Sequence, residues 1–89
     1  MNIPDGVRVI YQLAFSGCYS LSDITLPKGL EEIGESAFSC CEMLDNIEFS
    51  IALKTIKTMA FNECISLTSI ELPYTVTTVG DGAFKDPQG

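Results

Sequence analysis

Four cysteines are the residues of this sequence best suited to chemistry. Cys18, Cys41 and Cys64 follow one another at intervals of 23 residues, and Cys40 directly precedes Cys41. An even number of cysteines in a short chain is compatible with a disulfide framework. A zinc site is not expected, because two adjacent cysteines in a chain without histidine match no common ligand spacing.

Glu48 and Glu71 are the second candidates for chemistry. They also stand 23 residues apart, and on adjacent parallel strands their carboxyl groups would approach the ~5–5.5 Å separation of retaining glycosidases. One of the two would have to stay protonated, and nothing in the neighbouring sequence is suited to bury it. Because the chain has no histidine, catalytic triads and imidazole general bases are excluded. We predict no enzymatic activity and no cofactor, and keep a carbohydrate-active site at Glu48 and Glu71 only as a second alternative.

Charge and composition narrow the classes of partner. Twelve acidic residues against five basic ones give a net charge of −7, which argues against binding to nucleic acid. The hydrophobic fraction of 46% is typical of a packed chain, and no apolar run approaches the ~18 residues that a membrane span needs. The first four residues show no signal-peptide pattern. Either the protein is intracellular, or a targeting segment lies elsewhere in a longer protein.

A strict period of 23 residues runs through the chain. The motif Ala-Phe-x-x-Cys, or a close variant, begins at positions 14, 37, 60 and 83. On this period the chain, 1–89, is predicted to be one domain and a fragment of a longer array, with an incomplete first repeat at 3–20 and full repeats at 21–43, 44–66 and 67–89. A period of 20 to 50 residues is the signature of a solenoid, in which each repeat stacks on its neighbours.

Each repeat is predicted to contain two short extended segments and a turn. In the first segment Ile24 and Leu26 should point inward, while Asp23 and Thr25 point outward. A proline such as Pro27 then ends the strand. Stacked in parallel, equivalent residues of successive repeats would lie ~4.8 Å apart.

The second segment, "LEEIG" or "VTTVG", ends at a glycine. We predict a positive φ at Gly34 and Gly80, since glycine adopts such angles without steric cost. The next segment is short enough for only one helical or 3₁₀ turn before the chain re-enters the first strand.

The Ala-Phe-x-x-Cys columns are predicted to build the core. Phenylalanine would fill its wide part, and cysteine would act as a small buried hydrophobe. The predicted core ladder comprises Phe15, Phe38, Phe61, Phe84, Cys18, Cys41 and Cys64. Three stacked thiols with parallel side chains have poor disulfide geometry, so we predict free thiols. Cys40 shares its column with Gly17, Glu63 and Asp86, which predicts an exposed thiol able to form an intermolecular bond.

The consensus L-x-x-I-x-L-P-x-x-L-x-x-I-G-x-x-A-F-x-x-C resembles the BspA-like leucine-rich repeats of surface proteins from bacteria and some protists. The resemblance covers essentially the whole chain. It implies a right-handed leucine-rich-repeat solenoid, with a parallel β ladder on one face and short strands plus helical or 3₁₀ turns on the other. It also implies a cell-surface or secreted location, within a longer protein used in adhesion or partner recognition.

The chain departs from this consensus at a few positions. Ser50 replaces the strand-ending proline, Tyr11 and Lys57 stand in the glycine column, and Pro87 replaces the fourth cysteine. We therefore expect a less regular path in the middle and late repeats.

One exposed column indicates where a partner would bind. Lys28, Ile51 and Tyr74 occupy equivalent positions just after the first strand, so Ile51 and Tyr74 should lie side by side. An exposed aromatic–aliphatic pair within a polar rim is typical of recognition patches. The predicted binding residues are Asn46, Glu48, Ile51, Ser69, Glu71 and Tyr74. We predict a non-enzymatic module that binds a protein or glycan.

The ends of the predicted stack favour an alternative function, that of a self-assembling scaffold unit. The terminal repeats of a solenoid need a polar outer face, and neither end of this sequence supplies one. We therefore expect either adjacent repeats of a longer array or a homo-oligomer. The predicted interface residues are Leu72, Val76, Val79 or Phe84 at one end and Ile3, Val7 or Ile10 at the other.

Overall fold

The computed structural model describes residues 2–68 and 70–84 of the chain. The described residues contain six short strands: β1 (Val9–Ile10), β2 (Asp23–Thr25), β3 (Glu32–Ile33), β4 (Asn46–Glu48), β5 (Thr55–Ile56) and β6 (Thr78–Val79). The strands form two parallel sheets, one with the order β1-β3-β5-β6 and one that pairs β2 with β4. The two sheets correspond to the two extended segments predicted for each repeat.

The pairing has a constant offset of 23 residues. Ile24 lies opposite Ile47 between β2 and β4, and Ile33 lies opposite Ile56 between β3 and β5. A bridge between Asn2 and Thr25 extends the first sheet toward the N-terminal end. We call each 23-residue turn a rung: rung one is 3–20, rung two 21–43, rung three 44–66 and rung four the described part of 67–89.

The second sheet is the more continuous of the two. Its backbone bonds recur on every rung, since Glu31 N–H donates to Arg8 O over 2.8 Å and Lys54 N–H donates to Glu31 O over 2.9 Å. Among the described residues, no strand continues the first sheet beyond β4 at positions 70–72. The longer ladder therefore follows the "LEEIG"-type segments.

A run of turns stands where we predicted a helical or 3₁₀ turn, and the described residues contain no helix. The backbone amides alternate between two kinds of partner. Ala37 N–H donates to Gly34 O within its own rung over 3.2 Å, whereas Phe38 N–H donates to Ala60 O of the next rung over 2.8 Å. A helix would keep all of these bonds within the segment. The turns instead use every second amide to bind the rungs together.

These turns require a left-handed backbone at two positions of each rung. Apart from Gly6, the described residues with positive φ form two columns: Leu13, Ser36, Met59 and Gly82, and then Gly17, Cys40 and Glu63. Each occupies the third position of a hydrogen-bonded turn, which has positive φ in type II turns. The column that contains Cys40 is therefore defined by backbone conformation as well as by its place near the surface.

Gly34 and Gly80 serve a different purpose from the one predicted, since neither has a positive φ. A Cβ atom at Gly34 would lie 2.7 Å from Gln12 N, and one at Gly80 would lie 2.3 Å from Thr58 N. The prediction of positive φ was wrong, because these glycines serve the close approach of a rung to the backbone of the preceding rung.

A ladder of phenylalanine rings runs through the core. The ring centroids of Phe15, Phe38, Phe61 and Phe84 are separated in turn by 5.2, 5.1 and 5.2 Å, with nearly parallel planes. Phe38 and Phe61 are fully buried, and Phe49 packs edge-on against Phe61 with centroids 5.8 Å apart. Phe15 and Phe84 are only partly buried, because they belong to the outermost described rungs.

Ser50 leaves its rung regular, contrary to our expectation. Leu53 N–H donates to Ser50 O over 3.2 Å, as Leu30 N–H does to Pro27 O in the preceding rung. The hydroxyl of Ser50 also donates to Leu30 O over 2.7 Å. The serine therefore keeps the turn that proline makes elsewhere and adds a bond between rungs.

Candidate recognition face and cysteine column

The first sheet and the turns after it present a polar face to solvent. Asn46 and Glu48 on β4 are exposed, and they line an open cleft of about 300 Å³ together with Lys28 and Ser50. We call this surface the sheet face; its polar residues are Asp23, Thr25, Lys28, Asn46, Glu48, Ser50 and Glu71. The face carries acidic and amide side chains with one lysine at its rim, so it offers both hydrogen-bond donors and acceptors.

Glu48 and Glu71 border a second depression on this face, together with Ile47 and Phe49. Both carboxylates are exposed to solvent. Desolvation, the usual means of keeping one carboxyl of a catalytic pair protonated, is therefore lacking here. The two exposed carboxylates are free to accept hydrogen bonds from a partner.

Ile51 and Tyr74 project from the turns that follow the first extended segment of rungs three and four. Their exposed fractions are 75% and 91%, the latter the value of an almost free side chain. Neither borders the two clefts that contain Glu48. Ser69, another predicted binding residue, lies outside the described residues.

Lys28 borders the cleft but was not among the predicted binding residues. The sequence analysis placed Lys28 in one column with Ile51 and Tyr74, and that column was the available indication that Lys28 lies near the binding surface. An exposed lysine alone does not indicate binding, since a solvated surface is its usual place.

The cysteine column is stabilised by hydrogen bonds between rungs. All four cysteines are free thiols. The Cys41 thiol donates to Phe15 O over 3.3 Å, and the Cys64 thiol donates to Phe38 O over 3.0 Å. The same carbonyls also accept the amide of the cysteine in their own rung. Cysteine thus provides a weak donor for the second lone pair of a buried carbonyl, which alanine or valine could not do.

Burial shifts the acidity of these thiols. Desolvation is the main cause that raises the pKa of Cys41 to about 11 and the pKa of Cys64 to about 12. Cys18, predicted to be core, is only half-buried because no described rung covers its outer side. At neutral pH the two inner cysteines are therefore protonated donors and poor nucleophiles.

Cys40 lies in a more open environment. It is half-buried, where we predicted an exposed thiol, and its Sγ donates to Glu63 Oε2 over 3.2 Å. This hydrogen bond is the main cause that raises the pKa of Cys40. The glutamate thus favours the protonated thiol, although solvent still reaches the site.

Metal ligands and ion pairs are sparse on the described surface. Within residues 2–68 and 70–84, no three Cys, Asp or Glu side chains are placed to hold a metal ion. Lys57 and Glu32 form an ion pair on the second sheet, with Nζ and Oε2 separated by 3.3 Å. Since the pair is substantially exposed, its net contribution to stability is small.

We expect alkylation of the native protein to distinguish the four thiols. Iodoacetamide should modify Cys40 and Cys18, which are only half-buried, whereas Cys41 and Cys64 should react only on unfolding, because burial excludes the reagent and keeps these two thiols protonated. Peptide mass spectrometry of time points would give the four rates. Equal rates at all four cysteines in the folded protein would rule out a buried column.

Glu63→Gln provides a specific variant for the same assay. Replacing the carboxylate with an amide removes the negative charge and leaves a weaker acceptor for the Cys40 proton, so modification of Cys40 should become faster. Glu71→Gln, which removes the same charge from the sheet face, should leave the Cys40 rate unchanged. An equal acceleration in both variants would indicate a general charge effect instead of the Cys40–Glu63 bond.

Short parallel strands at 23-residue intervals, a stacked aromatic core and a polar sheet face define a leucine-rich repeat protein. The family described as "BspA type Leucine rich repeat region (6 copies)" matches residues 1–88. The chain belongs to this BspA-type leucine-rich repeat family.

Solved structures of bacterial proteins are similar to the chain. A leucine-rich cell surface protein from Faecalibacterium prausnitzii is 38% identical with a TM-score of 0.91, and 96% of this chain covers 22% of that protein. A leucine-rich repeat protein from Bacteroides ovatus is 35% identical with a TM-score of 0.89, over 94% of this chain and 24% of that one. The leucine-rich repeat protein TpLRR of T. pallidum is 31% identical with a TM-score of 0.81, over 94% of this chain and 52% of that one.

The chain therefore spans between about a fifth and about half of the length of these three proteins. No curated protein sequence gave a match. In the described ranges, no helix is long and apolar enough to cross a membrane.

Proposed function

We propose that the chain is a non-enzymatic recognition module, which binds a protein or glycan partner through the sheet face and the adjoining pair Ile51 and Tyr74. The observation that carries the proposal is the exposure of Ile51 and Tyr74, 75% and 91%, on the turns that directly follow the first extended segments of rungs three and four. Aromatic side chains contribute large contact areas at interfaces, and a polar rim directs the partner's hydrogen bonds. Asn46, Glu48 and Glu71 supply that rim.

The proposal includes a right-handed solenoid with turns on the face opposite the first sheet. Successive strands of each sheet are parallel, and each is joined to the next by a crossover through the rest of the rung. Such connections are right-handed in about 98% of known cases. This geometry would align the first extended segments of all rungs on one surface, which a partner could contact continuously.

A surface location within a longer protein is the setting that we infer. The Faecalibacterium prausnitzii relative is described as a cell surface protein, and the chain spans only part of it. Adhesion is the role that such a setting favours, with this chain supplying one segment of a longer contact surface. A carbohydrate-active site at Glu48 and Glu71 is not favoured, since both carboxylates are exposed.

The test is a binding experiment with paired variants. The labelled chain would be applied to an array of purified glycans and an array of purified extracellular proteins. Any ligand captured should then bind at least about tenfold more weakly to an Ile51→Ala/Tyr74→Ala double variant, as expected for the loss of two interface anchors.

The chain offers a matched control in Tyr19 and Ile65, which are the same residue types with exposures of 59% and 52% on the turns that join successive rungs. A Tyr19→Ala/Ile65→Ala double variant should bind as the wild type does. Equal losses in the two double variants, or no ligand on either array, would contradict a recognition site on the sheet face.

A further inference from the structure

A cleft lies beside the second sheet, where Gly34 interrupts a column of long side chains. Tyr11, Gly34 and Lys57 stand in this column on rungs one, two and three. Because Gly34 has no side chain, a gap of two strand spacings, ~9.6 Å, separates the backbone positions that carry Tyr11 and Lys57. We call this gap the glycine cleft. It has a volume of about 280 Å³ and is lined by Tyr11, Gln12, Glu32, Gly34, Glu35 and Lys57.

The glycine cleft has a described rung on each side. Rung one supplies the wall at Tyr11 and rung three supplies the wall at Lys57, so both walls are present whatever adjoins the chain. Ile10 and Ile33, which directly precede Tyr11 and Gly34, are buried, although we had expected Ile10 to be exposed at an open end of the stack. The strands that carry the cleft are therefore anchored in the core.

The backbone at the floor of the cleft is fixed by bonds between rungs. Gly34 N–H donates to Ile10 O over 2.7 Å, and Lys57 N–H donates to Ile33 O over 3.0 Å. Gln12 N–H, in contrast, donates to no backbone carbonyl within residues 2–68 and 70–84. The sheet therefore offers no open edge at this point, but one backbone donor beside Gly34 is available to a ligand.

The walls combine an aromatic ring with polar groups of both signs. Tyr11 is 76% exposed, and Gln12 and Glu35 are also exposed. Lys57 Nζ lies 3.3 Å from Glu32 Oε2. A cation in the cleft would meet Lys57, and an anion would meet Glu32 and Glu35. The arrangement therefore favours an uncharged ligand that both donates and accepts hydrogen bonds.

A sugar ring has these properties. Each hydroxyl group both donates and accepts, so a sugar can donate to the Glu35 carboxylate and accept from Gln12 N–H, while the C–H face of its ring packs on Tyr11. The volume of the cleft is at the lower end of the range for ligand sites, which limits the ligand to about one ring.

A peptide fits the glycine cleft less well. An added β-strand requires an open sheet edge, and the backbone bonds at Gly34 and Lys57 leave none here. A polyproline segment requires a groove lined by aromatic side chains, and Tyr11 is the one aromatic residue among the described residues that line the cleft.

We propose that the glycine cleft binds one uncharged sugar ring, at a site separate from the sheet face. The site does not rest on the function proposed above, because neither Ile51 nor Tyr74 lines it. One ring in a small open cleft should bind with a dissociation constant of about a millimolar, which the washing of an array would not retain. Free sugars in solution are therefore the appropriate probes.

The test is a nuclear magnetic resonance titration of the isotope-labelled chain with glucose, galactose, mannose and N-acetylglucosamine. At least one of these sugars should shift the amide signals of Gln12 and Glu35 to saturation and leave those of Asn46 and Glu48 unchanged. Glucosamine and glucuronate, which carry opposite charges, should bind more weakly than that sugar. The absence of any saturable shift would overturn the proposal, and so would tighter binding of glucosamine or of a lysine-containing peptide.

Two variants of the cleft test the contacts separately. Tyr11→Ala removes the aromatic wall and should weaken binding of the sugar at least about tenfold. Glu35→Gln keeps the size of the side chain and removes the charge that strengthens its hydrogen bond, so it should also weaken binding. Both residues are exposed, and the circular dichroism spectra of the two variants should match that of the wild type.

The controls are two tyrosines outside the cleft. Tyr19→Ala removes a ring that is 59% exposed, and Tyr74→Ala removes the ring next to the sheet face; both variants should bind the sugar as the wild type does. Equal losses in Tyr11→Ala and Tyr19→Ala would overturn the proposal. A loss in Tyr74→Ala without one in Tyr11→Ala would also overturn it, because the sugar would then bind at the sheet face.

Discussion

Phe38→Ala is expected to lower the free energy of unfolding by about 3–5 kcal/mol, a large share of the stability of a chain of this size. Phe38 is fully buried, and its ring lies 5.2 Å from Phe15 and 5.1 Å from Phe61 between centroids. The substitution removes this ring from the middle of the ladder and leaves a cavity that the stacked backbone cannot close. Urea denaturation followed by circular dichroism would measure the loss as a lower midpoint.

Tyr74→Ala is the matched control, since it removes an aromatic ring that is 91% exposed. Its free energy of unfolding should stay within about 0.5 kcal/mol of the wild-type value. Coincident midpoints for Phe38→Ala and Tyr74→Ala would mean that the phenylalanine column does not form the core.

Gly80→Ala is expected to cost about 1–3 kcal/mol, and Gly34→Ala a similar amount, because the added methyl group overpacks the contact between rungs. At Gly80 the new Cβ would lie 2.3 Å from Thr58 N, and at Gly34 it would lie 2.7 Å from both Gln12 N and Ile10 O. The obstructing atoms belong to the backbone, so relief requires one rung to move away from the next. Thermal or urea denaturation would give the change in stability.

Gly29 provides the control for the same substitution. A Cβ atom there meets nothing within 4 Å, and its φ is not in the positive range. Gly29→Ala should therefore be neutral or stabilise the protein by about 0.4–1 kcal/mol, because it restricts the unfolded chain. If all three glycine variants were equally stable, the close approach at Gly34 and Gly80 would be absent in solution.

The sequence was sufficient to predict the stacking register because every rung repeats the same apolar columns without insertion. Ile10, Ile33 and Ile56 recur in the sequence at 23-residue intervals and lie opposite one another in the second sheet. A side chain buried in one rung must lie over an apolar neighbour in the next, so the period fixes the pairing. The family followed from the same columns and is confirmed by the match over residues 1–88.

The path of the turns could not be predicted in the same way. One of the two left-handed columns holds Leu13, Ser36 and Met59, residues that normally disfavour positive φ by roughly 1–2 kcal/mol. In that column, Gly82 alone is a residue type that adopts positive φ without steric cost. The conformation is imposed by hydrogen bonds between rungs, which outweigh the local preference of each residue.

The role of the glycine column was also hidden, because a glycine signals either positive φ or a close approach and the sequence does not distinguish them. The candidate site was only partly predictable for a similar reason. Asn46 and Glu48 follow from strand alternation, whereas the place of Lys28 at the cleft depends on how the turn after β2 folds. The hydrogen bonds from the Cys41 and Cys64 thiols to backbone carbonyls likewise depend on how each rung is positioned on the preceding one, which the sequence does not specify.

The most direct test of the stacked-rung fold is a nuclear Overhauser experiment on methyl-labelled isoleucine residues. Ile33 pairs with Ile10 on one side and with Ile56 on the other, so its methyl groups should show cross-peaks to both, across a strand spacing of ~4.8 Å. Ile24 should likewise show a cross-peak to Ile47. Cross-peaks confined to residues three or four positions away, or contacts at an offset other than 23, would contradict this account.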